Sequence, residues 1–480
     1  MNLLRPTKRS TLLAIALTVS FASVVDISSA FAQTEAFVPS VPKPLEAAKT
    51  QQEAQKFYRQ GEDQAKSANY RGALENYNQA LQINPSFSQG YVARGVARSN
   101  VGDRVGALED FDQAIKLDPA DAIAYAQRGT THFGAGNAEA AMTDLNKALE
   151  LNPTLAAAYV NRGYVRSQSN DAEGAIADFD QALRLQPSYA PALLNRGFVS
   201  LDKGDRQAAL NDFNQAIKLQ PNYAEAYLSR GALHDQTDDG EAAVEDFNQA
   251  IRLNPNYVSA YYNRGLAQSK LGNLESAQAD FTKVAQLNPD KPEVFLQRGR
   301  VQAALENPQG AIADYNQALK LKPDYAEALK SRGDVLAMTG DKQGAFNNYN
   351  RAVQVQPDFA SAYTSRADAR SQLGDAQGAI SDYSQAVSLN TEDAKVYEKR
   401  GKVRMDLGDT RGAIADFSQT LRIDGRVADA HYHRGVLLAQ MGNRLEAIAD
   451  LREAGDLYRQ QGQADGYRNT LKQISQINSR

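Results

Sequence analysis

Arginine and aspartate recur along the chain at a fixed spacing that would let them pair. Arg196 is followed 16 residues later by Asp212, and Arg230 by Asp246. A guanidinium and a carboxylate that face each other form charge-assisted, often two-pronged hydrogen bonds. The arginine position recurs every 34 residues, at Arg94, Arg128, Arg162, Arg196, Arg230, Arg264, Arg298, Arg332, Arg366, Arg400 and Arg434. The matching acidic position is Asp in ten repeats, including Asp110, Asp212 and Asp246, and Asn at Asn76 and Asn348.

Two roles suit this arginine series. It could be a stripe that binds an anionic glycan or phosphate, or a set of structural ion pairs between neighbouring helices. Matched carboxylates would neutralise a ligand-binding stripe, which favours the structural role. We therefore predict ion pairs between Arg94 and Asp110, Arg196 and Asp212, and Arg230 and Asp246, with each arginine also able to reach the preceding repeat.

Residue patterns typical of catalysis are missing from the sequence. It contains no Cys, no phosphate-binding glycine loop, no H-E-x-x-H and no G-x-S-x-G. His431 and His433 are two residues apart on a predicted helix and should point to different faces. The acidic turn "DQTDDGE" lacks the spacing of a calcium loop. We expect a protein that is not an enzyme and has no cofactor and no metal site.

The charge balance disfavours nucleic acid as a partner. The formal net charge is −4, with 53 basic and 57 acidic side chains. A nucleic-acid binder needs a basic face. Because disulfides are impossible without cysteine, packing alone must stabilise the fold.

The N-terminal segment resembles a secretory signal. Basic residues in "MNLLRPTKRS" precede an apolar run and the small residues of "SSAFAQ". This order predicts a signal peptide over residues 1–32, cleaved after Ala32; an uncleaved anchor is the alternative. Residues 33–53, with Pro39, Pro42 and Pro44, are predicted to be an extended linker. The mature protein is expected to be periplasmic or secreted.

Twelve consecutive 34-residue units follow without insertion or deletion. A fixed period of this length is typical of stacked repeats. We number the repeats 1 to 12, over residues 54–87, 88–121, 122–155, 156–189, 190–223, 224–257, 258–291, 292–325, 326–359, 360–393, 394–427 and 428–461. Residues 462–480 are predicted to form a capping helix, since such stacks need a polar end.

Each repeat reads as two helices. In the second helix of repeat 6, Ala243, Phe247 and Ala250 fall on one helical face. Asn254 and Pro255 then end that helix, because proline disfavours helical geometry in the residue before it. A glycine such as Gly204 supplies the turn between the two helices.

This pattern resembles the tetratricopeptide repeat family, with the exported bacterial type indicated by the signal segment. The resemblance rests on the glycine, alanine, aromatic and proline positions over residues 54–461. It implies an all-α fold, a right-handed α-solenoid of about twelve helix-turn-helix repeats whose first helices line a concave face. The arginine and aspartate positions depart from the family pattern, which usually has Leu and a bulky residue there.

The resemblance also implies where a partner would bind. Function should lie at variable positions on the concave side of the first helices. The fifth, ninth and twelfth residues form an apolar stripe there, followed by charged residues from Lys330 to Lys402. The stripe is a candidate protein-binding groove, and packing between helices is the alternative. Its members are Val160, Tyr164, Leu194, Phe198, Leu201, Leu228, Tyr262, Leu266 and Leu296.

The resulting hypothesis is a non-catalytic scaffold or adaptor of the cell envelope that holds a partner protein or an extended peptide. An accessory component of a secretion or polysaccharide-export apparatus, and a substrate-presenting subunit of an enzyme complex, are the alternatives.

Overall fold

The computed structural model describes residues 45–479, which contain twenty-five α-helices and no strand. The all-α fold predicted from the sequence is confirmed. The predicted signal peptide over residues 1–32 lies outside the described residues, as does the linker up to residue 44. The described residues divide into two compact units, an N-terminal unit that ends at Ala267 and a C-terminal unit that begins at Gln268. No helix in the described part is both long and apolar enough to cross a membrane.

Helix hairpins stack in sequence order within the N-terminal unit, which has the organisation of an α-solenoid. Odd-numbered helices are the first helices of their repeats and even-numbered helices are the second. The helices are α1 Leu45–Lys66, α2 Tyr70–Ile83, α3 Ser88–Asn100, α4 Arg104–Leu117, α5 Ala122–Gly134, α6 Ala138–Leu151, α7 Ala156–Gln168, α8 Ala172–Leu185, α9 Ala190–Asp202, α10 Arg206–Leu219, α11 Ala224–Gln236 and α12 Gly240–Leu253. Helix α13, Val258–Lys270, contains the boundary between the units.

The C-terminal unit repeats this arrangement. Its helices are α14 Leu274–Leu287, α15 Pro292–Ala304, α16 Pro308–Leu321, α17 Ala326–Met338, α18 Lys342–Val355, α19 Ala360–Gln372, α20 Ala376–Leu389, α21 Ala394–Asp406, α22 Thr410–Ile423, α23 Ala428–Gln440 and α24 Arg444–Gln460. A last helix, α25 Ala464–Asn478, packs on α24.

The core of each hairpin is built from alanine and one larger apolar residue. In repeat 6, Ala243, Phe247 and Ala250 on α12 are fully buried. A Cβ atom on Gly231 of α11 would lie 2.9 Å from the Phe247 ring. The glycine in the first helix therefore lets the aromatic ring pack directly against that helix backbone, and the two helices approach closely.

The turn between the two helices of a repeat uses a left-handed backbone residue. Gly204 has a φ of +85° between α9 and α10. The same position is Glu306 in repeat 8, where φ is +57°. Left-handed geometry is unfavourable for residues with a Cβ. After the turn, an Asx residue such as Asp205 caps the second helix by accepting from the Ala208 amide.

Second helices end in an extended residue. Gln186 before Pro187 has φ −137° and ψ 88°, outside the helical region that proline disfavours in the residue before it. Repeats 10 and 11 lack the proline, yet Asn390 and Asp424 adopt similar angles. Repeat 12 also lacks it, and its second helix continues to Gln460.

The predicted extended linker over residues 33–53 is wrong for its last part, because α1 already begins at Leu45. The last proline of the segment is Pro44, directly before the helix. The sequence "LEAAKTQQEA" that follows is composed mostly of strong helix formers.

Candidate functional site: an apolar face on the first helices

Three of the nine residues predicted to bind a partner are buried, so a partner cannot contact them. Val160 has no exposed surface, and Leu194 and Leu296 are each 2% exposed. Val160 packs in a cluster with Phe179, and Leu194 in a cluster with Phe213. The fifth position of the first helix points at the second helix in these repeats, so these three residues belong to the hydrophobic core.

The other six predicted residues are partly exposed, and all belong to the N-terminal unit. They lie on the successive first helices α7, α9, α11 and α13. We call this set the apolar face: Tyr164, Phe198, Leu201, Leu228, Tyr262 and Leu266.

Aromatic contacts hold two members of the apolar face in place. The Tyr164 ring meets Phe133 of α5 edge to face at 5.5 Å between centroids. Phe198 meets the buried ring of Phe213 in the same way at 5.6 Å. Such edge-to-face pairs restrict ring orientation. Sequence reasoning missed Phe133, although it stands at the twelfth position of its helix, as Leu201 does.

The predicted ion-pair residues face each other within their hairpins. Arg196 donates from Nε to Asp212 Oδ2 at 2.9 Å and from Nη2 to Asp212 Oδ1 at 2.7 Å. Arg94 with Asp110, and Arg230 with Asp246, have the same two-pronged geometry. The three aspartates are at most 5% exposed. Their carboxylates are therefore engaged inside the hairpin.

Each arginine of this series also contacts the preceding repeat. Arg196 Nη1 donates to Asp180 of α8 at 2.6 Å, and Arg230 Nη1 to Asn214 of α10 at 2.7 Å. One side chain thus links the two helices of its own repeat to the repeat before it. The hydrogen bonds from Asp212 and Asp180 raise the pKa of Arg196 above its ordinary value despite partial burial.

An aromatic ring also packs on most of these arginines, a contact that sequence reasoning missed. The Tyr91 ring centroid lies 5.4 Å from the Arg94 guanidinium, and Tyr227 lies 5.7 Å from that of Arg230. The aromatic residue stands three positions before the arginine, which places both on one helical face. The recurrence of an aromatic residue three positions before the arginine is the sequence pattern that could have predicted this contact. The other pairs are Tyr125–Arg128, Tyr159–Arg162, Tyr261–Arg264, Phe295–Arg298, Tyr363–Arg366 and Tyr397–Arg400.

A second donor to the buried aspartate comes from the eleventh residue of the first helix. Arg98 Nη1 lies 3.0 Å from Asp110 Oδ2 and donates to the Gly106 carbonyl at 2.9 Å. In repeat 8, Gln302 donates to Asp314 at 2.7 Å. Sequence reasoning missed this position too. The recurrence of Arg, His or Gln at this position, opposite an aspartate, is the sequence pattern that could have predicted the contact.

The charged positions of repeats 9 to 11 have polar partners within the C-terminal unit. Lys330 lies 2.8 Å from Asp334, which also accepts from the Tyr349 hydroxyl at 3.0 Å. In the next repeat, Asp368 accepts from the Tyr383 hydroxyl at 2.6 Å. Lys402 contacts Glu398. The stripe in the C-terminal unit is therefore a hydrogen-bonded polar network.

The two neighbouring histidines of repeat 12 have different roles. His431 Nδ1 lies 2.9 Å from the Asp450 carboxylate, which also accepts from Arg434 Nε at 2.7 Å. His433 stacks on Phe417 at 5.6 Å between ring centroids. Burial, followed by the nearby Lys402, lowers the pKa of His433 below its ordinary value.

Comparison with protein families assigns the repeats. Models described as "Tetratricopeptide repeat" match residues 92–156, 296–354 and 398–463, residues 156–189 and 360–393, and residues 258–291; a model described as "TPR repeat" matches residues 199–238 and 239–272. These matches together cover well over half of the chain. The chain belongs to the tetratricopeptide repeat family.

Comparison with solved structures finds similar chains, including three with TM-scores below 0.5. YrrB, described as a TPR protein with an unusual peptide-binding site, is 27% identical over 38% of this chain and 95% of its own, with a TM-score of 0.35. PilF of Pseudomonas aeruginosa is 24% identical over 45% of this chain and 98% of its own, with a TM-score of 0.42. Yeast Tom70 is 17% identical over 88% of this chain and 96% of its own, with a TM-score of 0.40. A comparison with curated proteins finds no match.

Proposed function

We propose that this tetratricopeptide repeat protein is a non-catalytic adaptor that holds a partner protein or an extended peptide on its apolar face. The observation that carries the proposal is the run of six partly exposed apolar side chains on four successive first helices. Contiguous apolar surface on a soluble protein often serves as an interaction site.

The composition of the apolar face suits a binding surface. Tyr164, Phe198 and Tyr262 supply rigid aromatic anchors, and the most strongly contributing residues of interfaces are enriched in tyrosine. Contacts with Phe133 and Phe213 hold Tyr164 and Phe198 before a partner arrives. A surface that is already ordered loses less conformational entropy on binding.

We further propose that the protein works outside the cytoplasm, in the periplasm or after secretion, as the exported bacterial type of this family. The support is the basic, apolar and small-residue order of residues 1–32. The adaptor would then act among proteins of the cell envelope.

Selection of displayed random peptides against the purified mature protein tests the binding proposal. Affinities of selected peptides are then measured for the unmodified protein, Tyr164→Ala and Leu228→Ala. Gln215→Ala is the matched control, since Gln215 is exposed on the second helix α10. We expect each face substitution to weaken binding about tenfold or more, as loss of about 1.4 kcal/mol would, and the control to leave affinity unchanged. Peptides that bind all four proteins equally would contradict the proposal.

A further inference from the structure

Four repeats hold an additional guanidinium in the same place between their two helices. In repeat 11, Arg404 Nη1 donates to Asp416 Oδ2 at 2.9 Å and to the Gly412 carbonyl at 3.4 Å, and its Nε lies 3.6 Å from the capping Asp409. The equivalent arginines are Arg98, Arg166 and Arg370, with the same three kinds of acceptor. The fold therefore provides a three-acceptor site that fits a guanidinium.

Repeat 5 has the acceptors of this site with a serine in place of the arginine. The eleventh residue of α9 is Ser200, and the acceptors are Asp212, the Ala208 carbonyl and the capping Asp205. A cavity of about 370 Å³ lies there, lined by Ile176, Asp180, Arg196, Ser200, Ala208, Asn211 and Asp212. The cavity is large enough for a guanidinium group with part of its alkyl chain.

Carboxylates outnumber cations around this cavity. Asp180 and Asp212 share the single guanidinium of Arg196. The nearby Lys203 pairs with Glu173 at 2.8 Å. At the corresponding place beside Arg404, the residue equivalent to Asp180 is the neutral Ser384. The surplus negative charge in repeat 5 favours a cation from outside the chain.

We propose that the cavity in repeat 5 binds the guanidinium group of an arginine side chain presented by a partner protein. Guanidinium fits better than ammonium, because in the four filled repeats Nη1 contacts the carboxylate and the carbonyl while Nε lies 3.5–3.7 Å from the capping aspartate. A planar fork with separate nitrogens covers this span, whereas a single ammonium nitrogen does not. The site is separate from the apolar face. Phe198 and Ser200 are two residues apart on α9 and point to opposite sides of that helix.

The same chain offers a matched control. Ile176 lines the cavity, and Ile380 stands at the equivalent position six repeats later, beside Arg404. The δ1-methyl groups of both isoleucines, labelled with ¹³C in the full mature protein, report on the two places in one titration. The probes are the capped tripeptide Gly-Arg-Gly, the same peptide with citrulline, and free arginine.

The proposal predicts a saturable shift of the Ile176 methyl signal with the arginine tripeptide, no shift with the citrulline tripeptide, and no shift of Ile380 with either. Free arginine should bind no more tightly than the capped tripeptide, because both carry one net positive charge and the proposed site recognises the guanidinium. Equal responses to arginine and citrulline would overturn guanidinium recognition. Tighter binding of free arginine would overturn the assignment to a partner protein.

Two variants test the location. Ser200→Arg supplies the guanidinium from within the chain and should abolish the Ile176 shift. Asp180→Asn places at that position the residue found at Asn78 and Asn146, so folding should be retained, and it should weaken tripeptide binding about threefold or more, as loss of about 0.7 kcal/mol would. Unchanged binding by either folded variant would overturn the proposal. Tyr164→Ala should leave the titration unchanged, which separates this site from the apolar face.

Discussion

Arg230 holds the carboxylate of Asp246 through two hydrogen bonds, from Nε at 2.8 Å and from Nη2 at 2.6 Å. Asp246 is 4% exposed, whereas 24% of the Arg230 side chain remains accessible. Because the pair joins α11 to α12 and Arg230 also reaches Asn214 of α10, its loss should loosen three helices.

Asp246→Asn should destabilise this part of the N-terminal unit by about 2 kcal/mol. Removing one partner of a fully buried pair costs roughly 3–5 kcal/mol, and the partial exposure of Arg230 reduces that cost. Amide hydrogen exchange of α11 and α12 measures the effect locally. Glu245→Gln, at an exposed neighbouring position, is the control and should change exchange little. Equal protection in the two variants would show that the pair adds no stability.

Leu194→Ala should destabilise repeat 5 by about 2–5 kcal/mol, as expected for a buried leucine. Leu194 is 2% exposed and packs among core residues. Tyr164→Ala, on the apolar face, should lower stability less and weaken partner binding more. Urea denaturation and peptide affinity separate the two effects. A Leu194→Ala protein of unchanged stability would contradict the core assignment.

Glu306→Gly should stabilise repeat 8, because Glu306 has a φ of +57° in the turn between α15 and α16. Left-handed geometry costs roughly 1–2 kcal/mol for a residue with a Cβ, and part of the gain is offset by glycine entropy in the unfolded chain. We expect the free energy of local unfolding of α15 and α16, measured by amide hydrogen exchange, to rise by about 0.5–1 kcal/mol. Gly340→Ala, where φ is +92°, is the reciprocal variant and should destabilise the next repeat.

The stability of repeat 12 should fall as the pH drops below about 6.5, the ordinary pKa of histidine. Burial, followed by the charge of Lys402, lowers the pKa of folded His433, so the unfolded chain takes up its proton first. The stability associated with neutral, buried His433 is therefore fully present above the pKa of histidine in the unfolded chain. It is lost as the pH falls toward the lower pKa of His433 in the folded protein. His433→Phe should remove this part of the pH dependence. The free energy of unfolding of the unmodified protein and of His433→Phe is measured by denaturation at pH 7.5 and pH 5.5. An equal loss of stability in both proteins between these pH values would contradict the prediction.

The sequence predicted the repeats well because each is specified by short-range rules. Ala243, Phe247 and Pro255 define one second helix and its end through periodicity and proline geometry alone. The arginine and aspartate positions followed from their recurrence in register. The start of α1 at Leu45 was missed, because the prolines before it were given more weight than the helix formers after it.

The candidate site was less predictable, because exposure depends on how neighbouring helices pack. Leu194 and Leu228 both occupy the fifth position of a first helix, yet Leu194 is buried and Leu228 is partly exposed. The cavity beside Ser200 could not be read from repeat 5 by itself. It becomes apparent only when the contacts of Arg98 and Arg404 show what the equivalent place can hold.

Site-specific photocrosslinking in living cells tests the central claim most directly. A photoreactive residue replaces Tyr262 on the apolar face or, as control, the exposed Gln215 on α10. A discrete crosslinked protein from position 262, absent from position 215, is the predicted result. Adducts from position 215 with none from position 262 would contradict the account and place partner binding on the second helices.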